Sequence, residues 1–542
     1  MEVLNTNPLL TIFIVAAIGY VVGKISIKGS SLGVAAVLFI GLLFGGLVPE
    51  IQIPEILLHL GLVFYLYSIG LSSGEAFFSS FRQSGIRNLM FLAVMLTISA
   101  GIAILVHYLF SFNASTTVGI YSGASTNTAA LAGMIDQISQ GSKIIDKTSL
   151  IQKGVVAYSY TYPIGVVASM IGIIVMERLL KIDYKKEAKT LSKAYPIDQK
   201  IETAGIEITN PEICNIALRD LNNTHNWDVI FGRIFRGDDV ALIHFDTKFK
   251  LGDKITLVGV AEELEKVVIA LGENTKNILT YDRREFDVRR IFVSNPKLVG
   301  RKISSLNLNE KYSAVLTRIR RGDIDMLAKG DVTLQLGDRI RFVARRADLN
   351  DLSKYFGDSY YKSSQVNLFS FGLGIALGLL LGTIKFTLPG DIQFQLGFAG
   401  GPLVVALILG YLKRTGPVVW TLPYSTNITL QQIGLILFMA VVGLRSGGTF
   451  FESVVNGGGG MIFVGGIIVS LSIAILTLWI GYKFLKIPFS ILMGYVSNQP
   501  AILEFAMSKS KNSLPLIGYS FVLPVALILK IIYAQLLFLI LY

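Results

Sequence analysis

The chain has 542 residues, of which 52% are apolar and 16% charged, and its formal net charge is +12. Soluble domains carry roughly 25% charged residues, so most of this chain is predicted to lie in a membrane. The single cysteine, Cys214, excludes an internal disulfide, and the basic surplus is better explained by loops beside a membrane than by a nucleic-acid partner.

Six apolar segments are predicted in the first third of the chain. The first, Pro8–Gly23, has no basic stretch before it and is predicted to be a membrane helix rather than a cleaved signal. About 20 apolar residues cross the hydrocarbon core, and most segments approach that length. The other five are Leu32–Val48, Ile56–Gly74, Leu89–Phe110, Val118–Ile135 and Val155–Met176. The fifth has the polar pair Asn127 and Thr128 in its middle, so we expect it to be broken or re-entrant.

Charged residues are concentrated in the middle of the chain. Residues 181–362 hold 32 of the 49 Lys and Arg and 27 of the 37 Asp and Glu, which predicts a soluble domain. Arg233–Asp238 and Leu251–Val258 recur as Arg318–Asp323 and Leu336–Val343 at one constant spacing, 318 − 233 = 336 − 251. The domain is therefore a tandem of two short α+β modules. Its near-balanced charge gives no reason to expect nucleic acid.

Each module has two strands around a Gly-Asp turn, then a Leu-Gly-Asp turn and an apolar strand. This pattern resembles the TrkA-C (RCK-C) module of regulatory proteins of potassium channels and transporters. No Gly-x-Gly-x-x-Gly follows a predicted strand, so an accompanying nucleotide-binding half is not predicted. The predicted domains are membrane repeat 1 (1–179), module 1 (180–275), module 2 (276–362) and membrane repeat 2 (363–542).

Six further apolar segments follow the modules and repeat motifs of the first six. They are Leu368–Ile384, Phe394–Leu412, Ile428–Phe451, Met461–Tyr482, Phe489–Met507 and Leu516–Leu541. Gly70–Phe78 recurs as Gly443–Phe451, and the break at Asn127 recurs at Asn498. A duplicated membrane unit is the architecture of secondary transporters, in which the substrate site forms between the halves.

Basic residues favour inverted repeats. If each fifth segment enters and leaves on one side, each half crosses five times, and an outside N-terminus places most flanking Lys and Arg in the cytoplasm. Six crossings per half would place Lys24, Lys28, Arg82 and Arg87 outside. The predicted fold is an α-helical membrane protein of two inverted repeats. Each repeat has about five transmembrane helices plus a broken or re-entrant segment, and the α+β domain is inserted on the cytoplasmic side. A broken helix that crosses fully while another segment does not is the alternative.

Two such halves around a pair of TrkA-C modules resemble the aspartate:alanine exchanger family of bacterial secondary transporters. The parts that carry the resemblance are Gly70–Phe78, Gly443–Phe451, Asn127–Leu131 and Asn498–Ile502, together with the module order. The resemblance covers nearly the whole chain. It implies antiport of L-aspartate for L-alanine across the bacterial inner membrane, without ATP, cofactor or catalysis. In the family, the sequence at each helix break is commonly Asn-Thr-Pro-Ala. Here Ala129 replaces the proline of the first break and Gln499 replaces the threonine of the second. Other carboxylates are therefore alternative substrates.

Carboxylate transport requires hydrogen-bond donors in mid-membrane. Where a helix is broken, the N-terminus of the second half-helix directs its free backbone N–H groups toward a bound anion. Short polar side chains complete the binding shell. The candidate substrate residues at the two breaks are Ser125, Thr126, Asn127, Thr128, Ser497, Asn498 and Gln499. The alternative is that these side chains only bond one helix to another.

Transport of an anion also favours one cation in the membrane. Arg445 is the only arginine inside a predicted span, and a guanidinium binds a carboxylate through two parallel hydrogen bonds. Alternatively, Arg445 snorkels to the outer surface or pairs with Glu452. Asp136, beside the first break, is a candidate coupling-ion or proton site. The remaining charges near predicted span ends, Glu75, Glu504 and Lys530, are predicted to be interface or structural charges.

The modules are predicted to form a homodimer and to bind a small intracellular ligand. The repeated turns carry Arg233, Arg236, Arg318, Arg320 and Arg321, which offer charge for an anion. A solvated basic face is the alternative. The four histidines lie far apart in sequence, so no metal site is predicted.

Two other functional classes stay open at this stage. A potassium channel or transporter would explain the modules, but the chain has no Thr-Val-Gly-Tyr-Gly filter. A proton or sodium antiporter would share the broken repeats, yet such a site favours buried Asp where this chain has Asn127 and Asn498. An enzyme is disfavoured because no nucleophile, base and orienting group form a set.

Overall fold

The computed structural model describes the chain except residues 1–5, 28–29, 32, 48–50, 84, 142–143, 185, 188–200, 238, 276–284, 323, 360–364, 389–391, 456–457 and 513. The chain forms two compact units. One comprises Met1–Ile197, Phe371–Tyr411 and Ile428–Tyr542, and the other Asp198–Ser370 and Leu412–Asn427. The first unit is largely helical and apolar, and the second is built on two β-sheets.

The first half of the helical unit follows the predicted segments closely. Its helices are α1 (Pro8–Gly23), α2 (Ala36–Leu47), α3 (Glu55–Gln83), α4 (Gly85–Phe110), α5 (Ala114–Ala124), α6 (Thr128–Gln140) and α7 (Lys147–Leu180), and the short strands β1 (Ser26–Ile27) and β2 (Ser30–Ser31) pair between α1 and α2. Polar residues set several starts: Asn7, Asn113 and Asp146 cap α1, α5 and α7 by accepting a backbone N–H three residues on. The predicted fifth segment is broken between Ala124 and Thr128, as the polar residues there indicated.

The second half has the same succession. Its helices, numbered after four short ones in the soluble unit, are α12 (Leu368–Gly382), α13 (Gly397–Leu412), α14 (Tyr424–Val455), α15 (Gly459–Lys483), α16 (Phe489–Val496), α17 (Pro500–Ser510) and α18 (Leu514–Leu541). The strands β12 (Lys385–Leu388) and β13 (Ile392–Gln395) pair between α12 and α13, as β1 and β2 do between α1 and α2. The second predicted break lies between Val496 and Pro500.

Five of the described helices, α3, α4, α7, α14 and α15, are long and apolar enough to cross a membrane. The count becomes six if α18, which bends by 44° between Leu523 and Val525, is one span. Four apolar helices, α1, α2, α12 and α13, are shorter. The described chain is therefore mostly helical and supplies several membrane-capable helices.

The two halves exchange equivalent contacts. Gly74 of α3 packs on α13, where an added Cβ would collide with the Leu407 carbonyl oxygen. Its repeat counterpart Gly447 of α14 packs on α2, where a Cβ would collide with the Leu42 carbonyl oxygen. Small residues four apart allow such close backbone approach. The third helix of each half therefore packs against the second helix of the other half.

The broken segment of the first half is a hairpin with both ends beside the start of α7. Ser115, at the beginning of α5, donates through Oγ to the Leu150 carbonyl at 2.6 Å. Lys147 donates through Nζ to the carbonyl of Ser139, at the end of α6, at 2.7 Å. We call α5–α6 the first hairpin.

The broken segment of the second half, α16–α17, lies beside the other end of α7 and is called the second hairpin. The Ser490 N–H, at the start of α16, donates to the Glu187 carboxylate at 3.0 Å, and the Phe489 N–H donates to the same group. At the end of α17, Lys509 pairs with Glu177 at 3.3 Å. The two hairpins therefore approach α7 from opposite ends.

The soluble unit consists of two antiparallel sheets with equivalent strand order. The first module has strands β3 (Ile201–Ile208), β4 (Val229–Arg236), β5 (Asp239–Leu242), β6 (Lys254–Val260) and β7 (Gly272–Asn274), ordered β5-β4-β6-β3-β7. The second has β8 (Phe286–Phe292), β9 (Ala314–Arg321), β10 (Ile324–Leu327) and β11 (Arg339–Arg345), ordered β10-β9-β11-β8. Short helices pack on them: α8 (Leu218–His225) and α9 (Ala261–Leu271), then α10 (Leu308–Tyr312) and α11 (Leu349–Phe356).

Strands of one module match strands of the other at the spacing that relates the sequence motifs, and an ion pair repeats with them. Arg236 donates to both carboxylate oxygens of Asp253, and Arg321 does the same to Asp338. Asp253 and Asp338 are buried and also accept a backbone N–H within the Leu-Gly-Asp turn. In each module, the first repeated motif thus supplies the arginine and the second supplies the aspartate of one ion pair.

The segment between α13 and α14 belongs to the soluble unit. It forms the two-residue strands β14 (Arg414–Thr415) and β15 (Val418–Val419). Lys413 donates through Nζ to the Thr333 hydroxyl, and Arg414 donates through Nη1 to the Lys297 carbonyl at 2.8 Å. Module 2 therefore holds the connecting segment between α13 and α14.

Candidate substrate-binding site

The first break is a compact helix end followed at once by a helix start. Thr126 has a left-handed backbone with φ of 47°, and the Asn127 N–H donates to the Ser122 carbonyl at 2.8 Å, which together close α5. The Asn127 side chain then accepts the Ala130 N–H at 2.9 Å and begins α6. The break is therefore short, and the Ser125 carbonyl within it faces a side chain of the other half.

The second break uses different chemistry at the equivalent place. Proline at the first position of α17 needs no N–H partner, so Pro500 begins the helix without a side-chain cap. Ser497 donates through Oγ to the Met493 carbonyl at 2.7 Å. Asn498 donates through Nδ2 to the Val496 carbonyl at 3.2 Å, which leaves its Oδ1 as an acceptor.

Lys530 of α18 joins the two breaks. Its side-chain nitrogen donates to Asn498 Oδ1 in the second break and to the Ser125 carbonyl in the first, at 3.4 Å. The residue is only 4% exposed. An amino group held by neutral oxygens has hydrogen-bond partners but receives no counter-charge from them.

A small cavity of about 40 Å³ opens beside Lys530. Its polar lining consists of Ser99, Ser125, Ser169, Thr477, Tyr495, Asn498 and Lys530, and Phe91, Leu92, Met95 and Leu96 are among its apolar lining residues. Among the described lining residues Lys530 is the one base, and none is a carboxylate. A small molecule with one anionic end, polar groups and a short apolar stem matches this distribution.

The cavity draws on equivalent helices of both halves. Ser99 of α4 and Thr477 of α15 both line it. Lys530 and Ser169 also both line it. They are repeat counterparts, because Tyr158-Ser159-Tyr160 of α7 recurs as Tyr519-Ser520-Phe521 of α18 and 530 − 169 equals 519 − 158. The site is therefore formed between the halves, with its charge supplied by only one of them.

The remaining residues predicted at the breaks do not line this cavity. Thr128 shares a hydrogen bond with the Tyr158 hydroxyl at 2.9 Å, and Gln499 accepts one from the Tyr162 hydroxyl at 2.8 Å. The buried Thr126 hydroxyl has no hydrogen-bond partner among the described residues. Ser125 and Asn498 are thus the predicted residues that the structure brings to the cavity, and the others hold the breaks in shape.

Arg445 lies elsewhere in the helical unit. Its carbonyl accepts a hydrogen bond from Gln152 Nε2 at 2.7 Å, near the start of α7, and Thr449 donates to the same Gln152 side chain at 3.0 Å. Arg445 is not among the lining residues of the cavity. The cation beside the breaks is Lys530.

Lys530 is the functional candidate that sequence reasoning missed. It was predicted to be an interface or structural charge, and its burial contradicts only the interface alternative. It was assigned to the end of a span, whereas it lies well inside α18, which runs from Leu514 to Leu541. The signal was available, because a single lysine in an otherwise apolar run costs at least roughly 2.5 kcal/mol on insertion scales and calls for a partner.

Asp136 caps a helix of the other half. Its carboxylate accepts the N–H groups of Phe398 at 3.1 Å and Ala399 at 3.2 Å, at the start of α13, and also the Gln140 side chain. Gly397, with φ of 62°, turns the chain there, and a Cβ on it would collide with Asp136 Oδ2. Asp136 is 1% exposed, so these bonds replace the water it has lost.

We expect Asp136→Ala to lower the melting temperature of the purified protein, because it leaves buried N–H groups at the α13 start without an acceptor, at about 1–3 kcal/mol each. Asp136→Asn keeps one acceptor oxygen and should destabilise less. The control is Asp146→Ala, which removes an exposed cap at the start of α7. If Asp136→Asn instead melts normally but loses the pH dependence of transport, Asp136 is a coupling site rather than a cap.

The five arginines predicted to bind a regulatory ligand have different surroundings. Arg236 and Arg321 are held by the ion pairs described above, and the hydrogen bond from Arg236 to Asp253 raises the pKa of that guanidinium. Arg233 is 4% exposed and lies over the Phe235 ring. Only Arg318 and Arg320 line a groove, on the face of β9. Among the described residues no group of His, Cys, Asp and Glu could hold a metal ion.

Comparison with known families decides the class of this chain. The family described as a predicted permease membrane region, that of the aspartate:alanine exchangers, matches residues 11–178 and 370–539, more than half of the chain. The chain belongs to the aspartate:alanine exchanger family. The TrkA-C domain family matches residues 288–357, which is the second module of this exchanger-family protein.

Full-length relatives of this family member are named as transporters. It is 47% identical to an uncharacterized transporter of Geobacter sulfurreducens, with 99% of each chain covered. It is 40% identical to an uncharacterized transporter of Symbiobacterium thermophilum, with 98% of each covered, and 32% identical to a putative transport protein of Yersinia pestis, with 97% of each covered. No solved structure matches the chain. The protein is thus an integral membrane transporter.

Proposed function

We propose that the protein is a secondary active antiporter that exchanges small carboxylates by alternating access, with L-aspartate and L-alanine as the substrate pair. The observation that carries the proposal is Lys530, a buried amino group that bonds to both breaks at the edge of a cavity. A substrate carboxylate can replace one of the two neutral oxygens that now accept from it. The α-amino group of the substrate then has the hydroxyls of Ser99, Ser169 and Thr477 as acceptors.

The charge of the site argues against a cation antiporter. A sodium or proton pathway needs a carboxylate or several carbonyl oxygens free to coordinate, whereas the described lining of this cavity has Lys530 and no carboxylate. A positive charge there repels an entering cation. Another dicarboxylate remains the alternative substrate, because the site chemistry selects a carboxylate and not a particular carbon chain.

Counterflow in proteoliposomes tests the proposal. Vesicles loaded with unlabelled L-aspartate, L-alanine, succinate, malate, glutamate or potassium are diluted into labelled L-aspartate, and the uptake of label is measured. We expect uptake with aspartate or alanine inside and none with potassium alone. Uptake driven only by a potassium or proton gradient, with no response to internal carboxylates, would contradict the exchange of carboxylates.

We also propose that the halves are inverted in the inner membrane of a bacterium and that the modules are cytoplasmic. The hairpins meet α7 at opposite ends, so if α7 spans the membrane, they enter it from opposite sides. The distribution of Lys and Arg sets the absolute direction. A homodimer assembled through the modules is a further expectation of this arrangement.

In a Cys214→Ser background, a cysteine at Ser111 should react with a membrane-impermeant maleimide from outside whole cells. A cysteine at Ser425 should react only after the cells are opened. Both serines are exposed in the structure, so access to label depends on the side of the membrane rather than on burial. Equal labelling of both positions in intact cells would rule out the inverted arrangement.

A further inference from the structure

Five arginines share one face of the second module's sheet. They are Arg290 on β8, Arg318 and Arg320 on β9, and Arg339 and Arg341 on β11. Together with Asp325 they line a groove of about 80 Å³. The strand register places Arg341 opposite both Arg290 and Arg318, and Arg339 opposite Arg320.

This arrangement is unfavourable for the sheet itself. Side chains directly opposite on neighbouring strands lie about 4.5–5.5 Å apart at Cβ, and like charges there destabilise the pair. The groove sets five guanidinium groups against one lining carboxylate. Burial also lowers the pKa of Arg318, and the neighbouring Arg290 lowers it further, whereas Asp325 and Glu202 raise it.

The first module demonstrates that the fold does not need five arginines on this face of the sheet. At the spacing that relates the two modules, the counterparts of the five arginines are Gly205, Arg233, Phe235, Lys254 and Thr256, and the counterpart of Asp325 is Val240. Both modules nevertheless form the same core of strands in the same order. The arginine face is therefore an addition to the second module rather than a requirement of its architecture.

We propose that this groove, which we call the arginine groove, binds a small phosphate-bearing anion. Guanidinium groups match phosphate oxygens in pairs of parallel hydrogen bonds, and several of them in one groove favour a ligand with more than one negative charge. Arg318 is oriented for this by Thr203, whose hydroxyl accepts from Nη2 at 3.1 Å. Arg339 is set over the Phe292 ring, at 5.7 Å from its centroid.

The arginine groove has a short route to the start of a membrane helix. Arg320 donates through Nε to the carbonyl of Gly322, in the turn between β9 and β10. A Cβ on Gly322 would lie 2.5 Å from the Tyr424 ring, so this turn packs directly on Tyr424. Tyr424 is the first residue of α14. A ligand that moves Arg320 therefore acts on the residue where α14 begins, which makes the site a regulatory one.

The test uses the full chain in nanodiscs and measures heat on titration with inorganic pyrophosphate and with ATP, with citrate as the carboxylate comparator. We expect saturable binding of a phosphate compound that weakens as the salt concentration rises. The double variant Arg290→Gln, Arg341→Thr should bind at least about tenfold more weakly, because charged hydrogen bonds are lost. Threonine is tolerated at the equivalent place in module 1, so this variant should fold.

Arg301→Gln is the matched control, since it removes an exposed arginine of the same module outside the groove. Its affinity should equal that of the wild type. The proposal is overturned if neither pyrophosphate nor ATP binds, if citrate binds equally well, or if the double variant keeps full affinity. Nanodiscs with and without phosphatidylglycerol separate the two sources of phosphate. Binding of soluble phosphate in neutral lipid supports the proposal, and an effect of the arginines seen only with the anionic lipid would contradict it.

Discussion

Lys530→Met is expected to reduce aspartate exchange by about 100-fold or more, because truncation of one partner of a buried charge pair costs about 2–5 kcal/mol. Methionine preserves most of the volume and the apolar stem, so the packing of α18 should survive. The substitution removes the only basic side chain among the described residues that line the cavity. Initial rates of counterflow in proteoliposomes, corrected for the amount of reconstituted protein, measure the effect.

The matched control for this substitution is Lys153→Met. Lys153 is an exposed lysine of α7, so its loss changes the net charge equally without touching the cavity. The control should exchange at the wild-type rate. Lys530→Arg should recover only part of the activity, because the larger guanidinium must fit between Ser125 and Asn498. Wild-type exchange by Lys530→Met would leave the buried lysine as a structural contact and the substrate site elsewhere.

The two break asparagines should behave differently, although they occupy equivalent places in the repeat. Asn498→Ala removes the side-chain acceptor of Lys530, and a hydrogen bond to a charged group is worth about 1.5–3 kcal/mol, so we expect exchange to fall about 10- to 100-fold. Asn127→Ala removes a helix cap instead, at about 0.5–2 kcal/mol of stability, and exchange per folded molecule should change little.

Asn113→Ala controls for the loss of a cap away from the cavity. Asn113 begins α5 by accepting the Thr116 N–H at 2.8 Å, so its removal should lower the melting temperature as Asn127→Ala does. Measurement of melting temperature and of exchange on the same preparations separates the two effects. Equal loss of exchange in Asn127→Ala and Asn498→Ala would contradict the assignment of Lys530 as the centre of the site.

Much of the architecture could be predicted from the sequence because its causes are local. Polar residues in the middle of an apolar segment cannot stay in a lipid-facing helix, so the breaks at Asn127 and Asn498 follow from composition. The repeat of the modules follows from motifs that keep one spacing. The structure adds why those motifs repeat, since Arg236 and Arg321 each need the aspartate of the next motif.

The candidate substrate site could be predicted only in part, because its members are distant in sequence. Lys530 contacts Ser125, which belongs to the other half of the chain, and the sequence around Lys530 does not indicate that contact. Thr128, Gln499 and Ser497 have the residue types of a site, yet their side chains are taken up by neighbouring groups. The arginine groove likewise requires strand register, because its members come from three strands that are separated by turns and helices.

The helix α7 contacts both hairpins, and these contacts constrain the number of residues in α7. Ser115 and Ser139 are held by its first turns, Tyr162 reaches Gln499 from its middle, and Glu177 holds Lys509 near its end. Insertion of one residue between Tyr158 and Tyr162 would turn everything beyond it by about 100° and shift it by about 1.5 Å. The contacts of Ser115 and Ser139 with the first turns of α7 would be kept. The packing of Gly165 on Ala124 in the first hairpin, and the contacts of Tyr162 and Glu177 with the second, would be displaced. The length of α7 thus sets the distance and the angle between the two breaks.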